Sequence, residues 1–199
     1  MGVTIFIEGD KKKSSFHQLR LGFQEFFRTG LPNHKLPKIE MCGSRKETYE
    51  DFCNAIKKDS SNFHILLVDS EGPVTKTPWK HLWSSDKWKN CGSSDENCHL
   101  MVQMMESWFY ADVATLIGYY GKRFVGKHIP KTTNVEVVAK RDVEHALKMA
   151  TRNTKMGEYH KIQHASELLQ KLDVTLVRSK AQHCDDLFNT LQNYLKPHN

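Results

Sequence analysis

The sequence lacks the short motifs that mark several common enzyme classes. It contains no G-x-S-x-G nucleophile elbow, no G-x-G-x-x-G dinucleotide loop and no complete Walker A motif. These motifs position a nucleophilic serine, a pyrophosphate and a nucleoside triphosphate, respectively. We therefore expect that the chain does not hydrolyse ATP itself, and no motif supports a cysteine nucleophile.

Long apolar runs and cysteines are also scarce. No apolar segment approaches the about 20 residues that span a bilayer, and the chain begins with a strand pattern instead of a secretory signal. The five cysteines are irregularly spaced, which favours free thiols in a reducing compartment over a disulfide framework. Cys91, Cys98 and His99 do not have a recognised zinc spacing. We expect a cytoplasmic protein.

Charge is plentiful, with 29 Lys and Arg residues against 23 Asp and Glu residues and a net charge of +6. This excess is compatible with a phosphate-rich partner, although an ordinary basic surface has the same composition. The 39% hydrophobic and 26% charged residues are typical of a globular protein. A chain of 199 residues can form one domain with a substantial core.

The first third of the chain alternates strand and helix patterns. Short β-branched and apolar runs at residues 3–7, 37–42 and 64–68 predict strands, the second closed by Gly43, and the segments between them have apolar residues at helical spacing. Continuous apolar strands joined by helices are typical of a parallel sheet. We predict the α/β class, with a parallel sheet of about four strands flanked by helices and a helical C-terminal extension.

The remaining segments complete the predicted architecture. Residues 73–98 are interpreted as an ordered insertion whose tryptophans, Trp79, Trp83 and Trp88, pack on the core or on a partner, although they also suit base stacking. Residues 99–105 predict a fourth strand and residues 106–121 a helix. Further helices are predicted at 141–150, 158–172 and 176–195. The predicted division is a core over residues 1–125 and a helical part over 126–199 packed on it.

Acidic residues follow two of the predicted strands. Glu8 ends the first strand, and Asp69 and Glu71 follow the third. Parallel strands have their C-terminal ends at one edge of the sheet, where ligands of open α/β folds bind. Carboxylates are the ligands that Mg²⁺ prefers in proteins, and gathering three of them without a cation is unfavourable. The pattern favours a metal site, although acids at strand ends also cap helices and bind loop amides.

Several other residues are candidates for the same edge. Glu106 follows the predicted fourth strand and is either a fourth acid of the site or an acid placed by the helix dipole. Arg45, just after the second strand, is placed to bind phosphate. The segment TRNTKMGEYHK supplies further basic groups that either contact phosphate or form a solvated face; they are Arg152, Lys155, His160 and Lys161.

The two acidic strand tips resemble the TOPRIM fold of topoisomerases, primases and small nucleases, including the nuclease halves of overcoming-lysogenization-defect proteins. In that fold a strand ending in Glu-Gly is followed by a strand ending in Asp-x-Asp or Asp-x-Glu. The resemblance implies that Glu8, Asp69 and Glu71 bind Mg²⁺ or Mn²⁺ at a phosphodiester. The sequence departs from the commonest pattern because Glu71 stands where Asp is usual.

The segments CGSR, LLVDSEGPV, CHLMVQMMESWF, ATRNTKMGEYHK and HASELLQKLD resemble a bacterial family of domains of unknown function. The family is similar to TOPRIM proteins, and its members are often encoded beside ABC/SMC-like ATPases in suspected phage-defence gene pairs. The resemblance implies a metal-dependent nuclease that acts on nucleic acid with such an ATPase. In it Glu8, Asp69 and Glu71 hold the metal. We expect Arg45 and Lys161 to neutralise phosphate charge and Glu106 to hold a second metal or orient water.

Two other functions remain open from the sequence. One is a catalytically silent subunit that docks on the ATPase through its tryptophan insertion and its helical C-terminal part. The other is a receiver-like protein with Asp69 as phospho-acceptor, which is disfavoured because receivers place an acidic pair after the first strand, where this chain has Glu8-Gly9.

Overall fold

The described residues form four strands in the predicted order and eight α-helices, one of which, Pro78–Asp86, lies in the insertion for which no helix is predicted. The structure, a computed structural model, describes residues 2–9 and 13–197. The strands are β1 (Val3–Glu8), β2 (Lys38–Cys42), β3 (Phe63–Asp69) and β4 (Cys98–Met101). The helices are α1 (Lys13–Gly30), α2 (Arg45–Lys58), α3 (Pro78–Asp86), α4 (Val113–Tyr120), α5 (Lys140–Thr151), α6 (Lys161–Leu169), α7 (Val174–Lys180) and α8 (Gln182–Tyr194).

The strands form one parallel sheet in the order β2-β1-β3-β4. The predicted α/β class with a four-stranded parallel sheet and flanking helices is therefore confirmed. All four strands have their C-terminal ends at the same edge, which is where Glu8 and Asp69 lie. The turn after β2 is tied to this edge by the Gly9 amide, which donates to the Gly43 carbonyl at 3.1 Å.

The sheet separates two apolar layers, because successive side chains of a strand point to opposite faces. On β3, Ile65 and Leu67 pack into one layer, whereas Leu66 and Val68 pack into the other. The larger layer includes α1, α6, α7 and α8, with Trp108 fully buried at its centre. The smaller layer includes α2 and α3. The N-terminal and C-terminal helices thus share one core, while the predicted boundary near residue 125 stays a prediction.

Several predicted elements differ in extent from the structure. The fourth strand ends at Met101, short of the predicted residue 105. The predicted helix 106–121 is a 3₁₀-helix, Met105–Ala111, followed by α4. The break falls at Asp112, whose side chain accepts from the Thr115 amide and so caps α4. The predicted helix 176–195 is likewise divided into α7 and α8, because Ala181 adopts an extended conformation.

The expectation of free thiols throughout is wrong for one pair. Cys53 on α2 and Cys91 in the loop after α3 form a disulfide with a Cα–Cα distance of 5.5 Å, whereas Cys42, Cys98 and Cys184 are free and buried. The two paired cysteines are 38 residues apart. Their pairing therefore depends on how the insertion packs against α2, which irregular sequence spacing does not show.

Helices long and apolar enough to cross a bilayer are absent from the described part of the chain.

Candidate metal centre

Three carboxylates meet at the C-terminal edge of the sheet. Glu8 at the end of β1, Asp69 at the end of β3 and Glu71 two residues later each place one oxygen within 4.8 Å of the others. The predicted meeting of the two acidic strand tips is therefore observed. A cluster of hard oxygen ligands at this spacing can hold a metal ion.

The turn after β3 brings Glu71 back toward the other two acids. Glu71 has a φ of 64°, in the left-handed region that side chains seldom adopt. Its amide donates to the Gln103 carbonyl at 3.0 Å, and the Ser70 amide donates to the Met101 carbonyl at 3.0 Å. These two hydrogen bonds continue the pairing between β3 and β4 past the ends of both strands. They hold the backbone at the turn that positions the Glu71 carboxylate.

Asp69 is the most deeply placed member of the cluster, with only 2% of its surface exposed. Its Oδ1 accepts a hydrogen bond from the Met105 amide at 2.8 Å. Its Oδ2 lies 3.8 Å from Lys161 Nζ. One carboxylate oxygen is thus fixed by the backbone, and the other points toward the charged groups of the site.

Burial and the neighbouring Asp69 charge raise the pKa of Glu8 to about 7, although Arg45 and Lys161 oppose this shift. Glu8 Oε2 is buried and has no hydrogen-bond partner among the described residues. A carboxylate in this state is stabilised when a cation approaches it. A buried oxygen without a hydrogen bond and an all-carboxylate donor set fit a hard divalent cation, so the residues present suit the metal that their pattern implies.

Arg45 begins α2 and lies against this cluster. Its Nη1 donates to the backbone carbonyl of Asp69 and lies 3.7 Å from Glu8 Oε2. Its Nε and Nη2 bind the two oxygens of Asp86 at 3.1 and 3.0 Å. The Trp88 ring lies 5.0 Å from the guanidinium carbon. Arg45 is at the predicted edge, and its donors are engaged by the protein.

Glu106 lies beside the cluster but outside the group of three. It is 1% exposed, accepts a hydrogen bond from the Tyr159 hydroxyl at 2.9 Å and lies 3.5 Å from Lys161 Nζ. Burial raises the pKa of Glu106, and the charge of Lys161 opposes the shift. Lys161 therefore contacts both Asp69 and Glu106, and its ammonium occupies the space between these two acids.

The pKa of Lys161 reflects this position at the start of α6. Burial lowers it, but the charges of Asp69 and Glu106 act in the opposite direction, and the net result is a pKa above the ordinary value for lysine. Lys161 is therefore a cation in the site, not a proton acceptor.

Lys140 is a site residue that the sequence reasoning missed. Its Nζ binds both oxygens of Glu71, at 2.7 and 2.6 Å, and its amide donates to Gln103 Oε1 at 3.1 Å. Lys140 is 69 residues from Glu71 in sequence, and it begins α5 as an ordinary charged residue. The contact between Lys140 and Glu71 depends on the tertiary fold, so no local sequence pattern could have identified Lys140 as a site residue.

The other predicted phosphate-binding residues are placed less closely. His160 precedes α6 and, with Glu8 and Lys161, lines a cavity of about 380 Å³ beside the cluster. Arg152 and Lys155 are exposed after α5. Within residues 2–9 and 13–197, neither makes an ion pair with the three acids. The structure therefore brings Lys161 and His160 to the site and does not bring Arg152 or Lys155 into the lining of this cavity.

Comparison with known proteins gives a family and no named relative. Neither the curated proteins nor the solved structures contain a match to this chain. The family model described as "Domain of unknown function (DUF4276)" matches residues 17–192. The match includes Asp69, Glu71, Glu106, Lys140 and Lys161, and it begins after Glu8. Because this match covers most of its length, the chain belongs to the DUF4276 family.

Proposed function

We propose that this protein is a metal-dependent nuclease of the TOPRIM type, which hydrolyses a phosphodiester bond with Mg²⁺ or Mn²⁺. The observation that carries the proposal is the convergence of Glu8, Asp69 and Glu71 within 4.8 Å at the edge of the sheet. In α/β folds this edge is the usual place for a ligand. Three carboxylates and one bound phosphate diester suit a hard divalent cation.

The chain's own residues have distinct roles in this proposal. Glu8, Asp69 and Glu71 hold the cation, which supplies Lewis-acid activation of water and stabilisation of the leaving oxygen. Lys161, a permanent cation here, faces the negative charge that develops on the phosphate. Tyr159 orients Glu106 through the 2.9 Å hydrogen bond. Glu106 in turn keeps Lys161 beside Asp69.

The proposed partners and location come from the family resemblance of the sequence. We propose a nucleic-acid substrate, an ABC/SMC-like ATPase as partner, a role in phage defence and a cytoplasmic location. The net charge of +6 supports a polyanionic substrate. Arg152, Lys155 and His160 are then peripheral contacts to the phosphates that flank the reacting bond.

One observation favours a second function, a catalytically silent subunit of the ATPase complex. Glu71 is bound by Lys140 through both oxygens, and Asp69 lies near Lys161. Internal cations thus neutralise part of the cluster, as expected of a site that has lost its metal. A nuclease requires Glu71 to exchange Lys140 for the cation, whereas a silent subunit does not.

The test is cleavage of labelled DNA and RNA by the chain, alone and with the proposed ABC/SMC-like ATPase partner, with Mg²⁺, Mn²⁺ or EDTA. We expect cation-dependent cleavage by the wild type and its loss in Asp69→Asn. The matched control is Glu50→Gln, which removes a carboxylate from the exposed face of α2. Cleavage by Asp69→Asn at the wild-type rate would refute the mechanism. A stable ATPase complex without cleavage would favour the silent subunit.

A further inference from the structure

Arg45, Tyr49 and Cys53 form one stripe along α2, because residues four apart on a helix lie on the same face. Each contacts the loop that follows α3. Arg45 binds Asp86 and lies against Trp88. The Tyr49 ring stacks on Trp88, with ring centres 4.4 Å apart and an interplanar angle of 5°. Cys53 is bonded to Cys91. Three successive contacts therefore fasten residues 86–91 to α2.

The middle contact also includes the loop backbone. The Tyr49 hydroxyl donates to the Lys89 carbonyl at 3.0 Å and accepts from the Lys89 amide at 3.1 Å. Trp88 is thereby held by Tyr49 and by the backbone next to it. Its ring face is available to the Arg45 guanidinium, which is attracted to the π electrons. Trp88 thus restricts the Arg45 side chain through the cation–π contact, and this contact is kept only while the loop after α3 stays packed on α2.

The contact nearest the sheet edge belongs to the metal centre. Arg45 Nη1 donates to the Asp69 carbonyl and makes only a long ion pair, at 3.7 Å, with Glu8 Oε2, which has no hydrogen-bond partner among the described residues. Asp86 and Trp88 hold the guanidinium at this distance. An arginine released from them can move onto Glu8, where its charge competes with a bound cation.

The contact farthest from the sheet edge is the Cys53–Cys91 disulfide, which a reductant can cleave. Cys53 is 7% exposed, whereas Cys91 is only partly buried and lies in a loop. A dithiol can therefore reach it by exchange. One reductant thiolate attacks a protein sulfur and releases the other protein cysteine as a thiolate, and the second reductant thiolate then attacks the mixed disulfide and releases the remaining protein thiolate. The protein gains two electrons and two protons as two thiols, and the reductant becomes a disulfide.

We propose that Cys53–Cys91 is a reversible redox site that sets the position of Arg45, through Tyr49 and Trp88, and thereby the cation affinity of the acid cluster. The proposal rests on the proposed function, in that the cluster binds a cation. In the oxidised protein Arg45 is held at the distance of a long ion pair from Glu8, without a hydrogen bond to it, and the site is open to the cation. The reduced protein has a looser loop and a weaker site. In this proposal Trp88 is a positioning residue that acts through Arg45.

The test measures Mn²⁺ binding by electron paramagnetic resonance for the oxidised protein and for protein reduced with dithiothreitol and then desalted without air. We expect reduction to raise the dissociation constant for Mn²⁺ about two- to fivefold, because this factor corresponds to the strength of one partly exposed cation–π contact. The double variant Cys53→Ser/Cys91→Ser should bind like reduced protein and ignore the reductant. Cys184→Ser, at a buried free thiol, should respond like the wild type.

Two further variants separate positioning from general loosening. Trp88→Leu should bind Mn²⁺ as weakly as reduced protein, and Trp88→Phe, which restores a ring face, should regain most of the affinity. In an Arg45→Gln background the redox state should have no effect. Equal dissociation constants for oxidised and reduced wild type would overturn the proposal. So would an undiminished redox effect in Arg45→Gln.

A separate readout keeps this proposal distinct from the proposed function. Reduction should increase acrylamide quenching of tryptophan fluorescence in the wild type and should not in Trp88→Phe, because Trp88 is the tryptophan held by the loop contacts. A wild type that binds no Mn²⁺ in either state refutes the cation site and the coupling to it. Unchanged quenching in a protein that does bind Mn²⁺ refutes the redox site alone.

Discussion

Replacing Asp69 separates its structural role from its charge. Its Oδ1 accepts from the buried Met105 amide at 2.8 Å, and its carboxylate charge faces Lys161 and Glu8. Asp69→Asn keeps an oxygen for the Met105 amide and removes the charge. Asp69→Ala removes both. The two variants therefore differ by one buried hydrogen bond.

The magnitude follows from that hydrogen bond. A buried amide left without its acceptor costs about 1–3 kcal/mol. For a chain of this size, 1 kcal/mol shifts the thermal midpoint by about 2–4 °C. Asp69→Ala should therefore melt between about 2 and 12 °C below Asp69→Asn. Neither variant should bind Mn²⁺, because both lack the central carboxylate of the cluster.

The assay is thermal unfolding followed by circular dichroism, repeated in urea to obtain the free energy of unfolding. Glu50→Gln serves as the control for loss of a carboxylate at an exposed position. Equal stability of the alanine and asparagine variants would refute the structural role of Oδ1. An alanine variant more stable than the asparagine variant would contradict it more strongly.

Four further predictions concern the packing of the helices and the charges in the protein. Gly22→Ala should lower the free energy of unfolding by about 1–3 kcal/mol, because its Cβ would lie 2.9 Å from the backbone of α6. Gly118→Ala, in α4 with open space around it, should instead raise it by about 0.5–1 kcal/mol in the same urea titration. Tyr159→Phe removes the hydroxyl that binds buried Glu106 and should cost about 1–3 kcal/mol, and an unchanged urea midpoint would refute this. The hydrogen bond to Glu136 raises the pKa of His183 above its ordinary value of 6.5, so its contribution is complete below pH 6.5 and is lost as pH rises through the raised pKa. The thermal midpoint should fall over that interval in the wild type and less in His183→Gln.

The strand tips could be predicted because both signals are local. Each apolar strand ends in an acid, and the rule that parallel strands share an edge then places Glu8 beside Asp69. The prediction needed no knowledge of side-chain packing. The same reasoning located Arg45 at the turn after β2, whereas Lys161 was a candidate only because its segment is basic.

The neighbours that neutralise these acids could not be predicted. Lys140 reaches Glu71 from 69 residues away, and Tyr159 reaches Glu106 from 53 residues away. Such pairs depend on how the helices after β4 cover the sheet edge, which hydrophobic periodicity does not specify. The Cys53–Cys91 pair was missed for the same reason, since the insertion had no pattern that placed it against α2.

The most direct test of the central claim is a crystal of the protein soaked in Mn²⁺ and examined by anomalous diffraction. We expect an anomalous peak between Glu8 and Asp69, with Glu71 turned from Lys140 toward the ion. We expect no peak in crystals of Asp69→Asn soaked in the same way. Absence of a peak in the wild type, or a peak of equal height in Asp69→Asn, would contradict the claim that these three carboxylates form a metal centre.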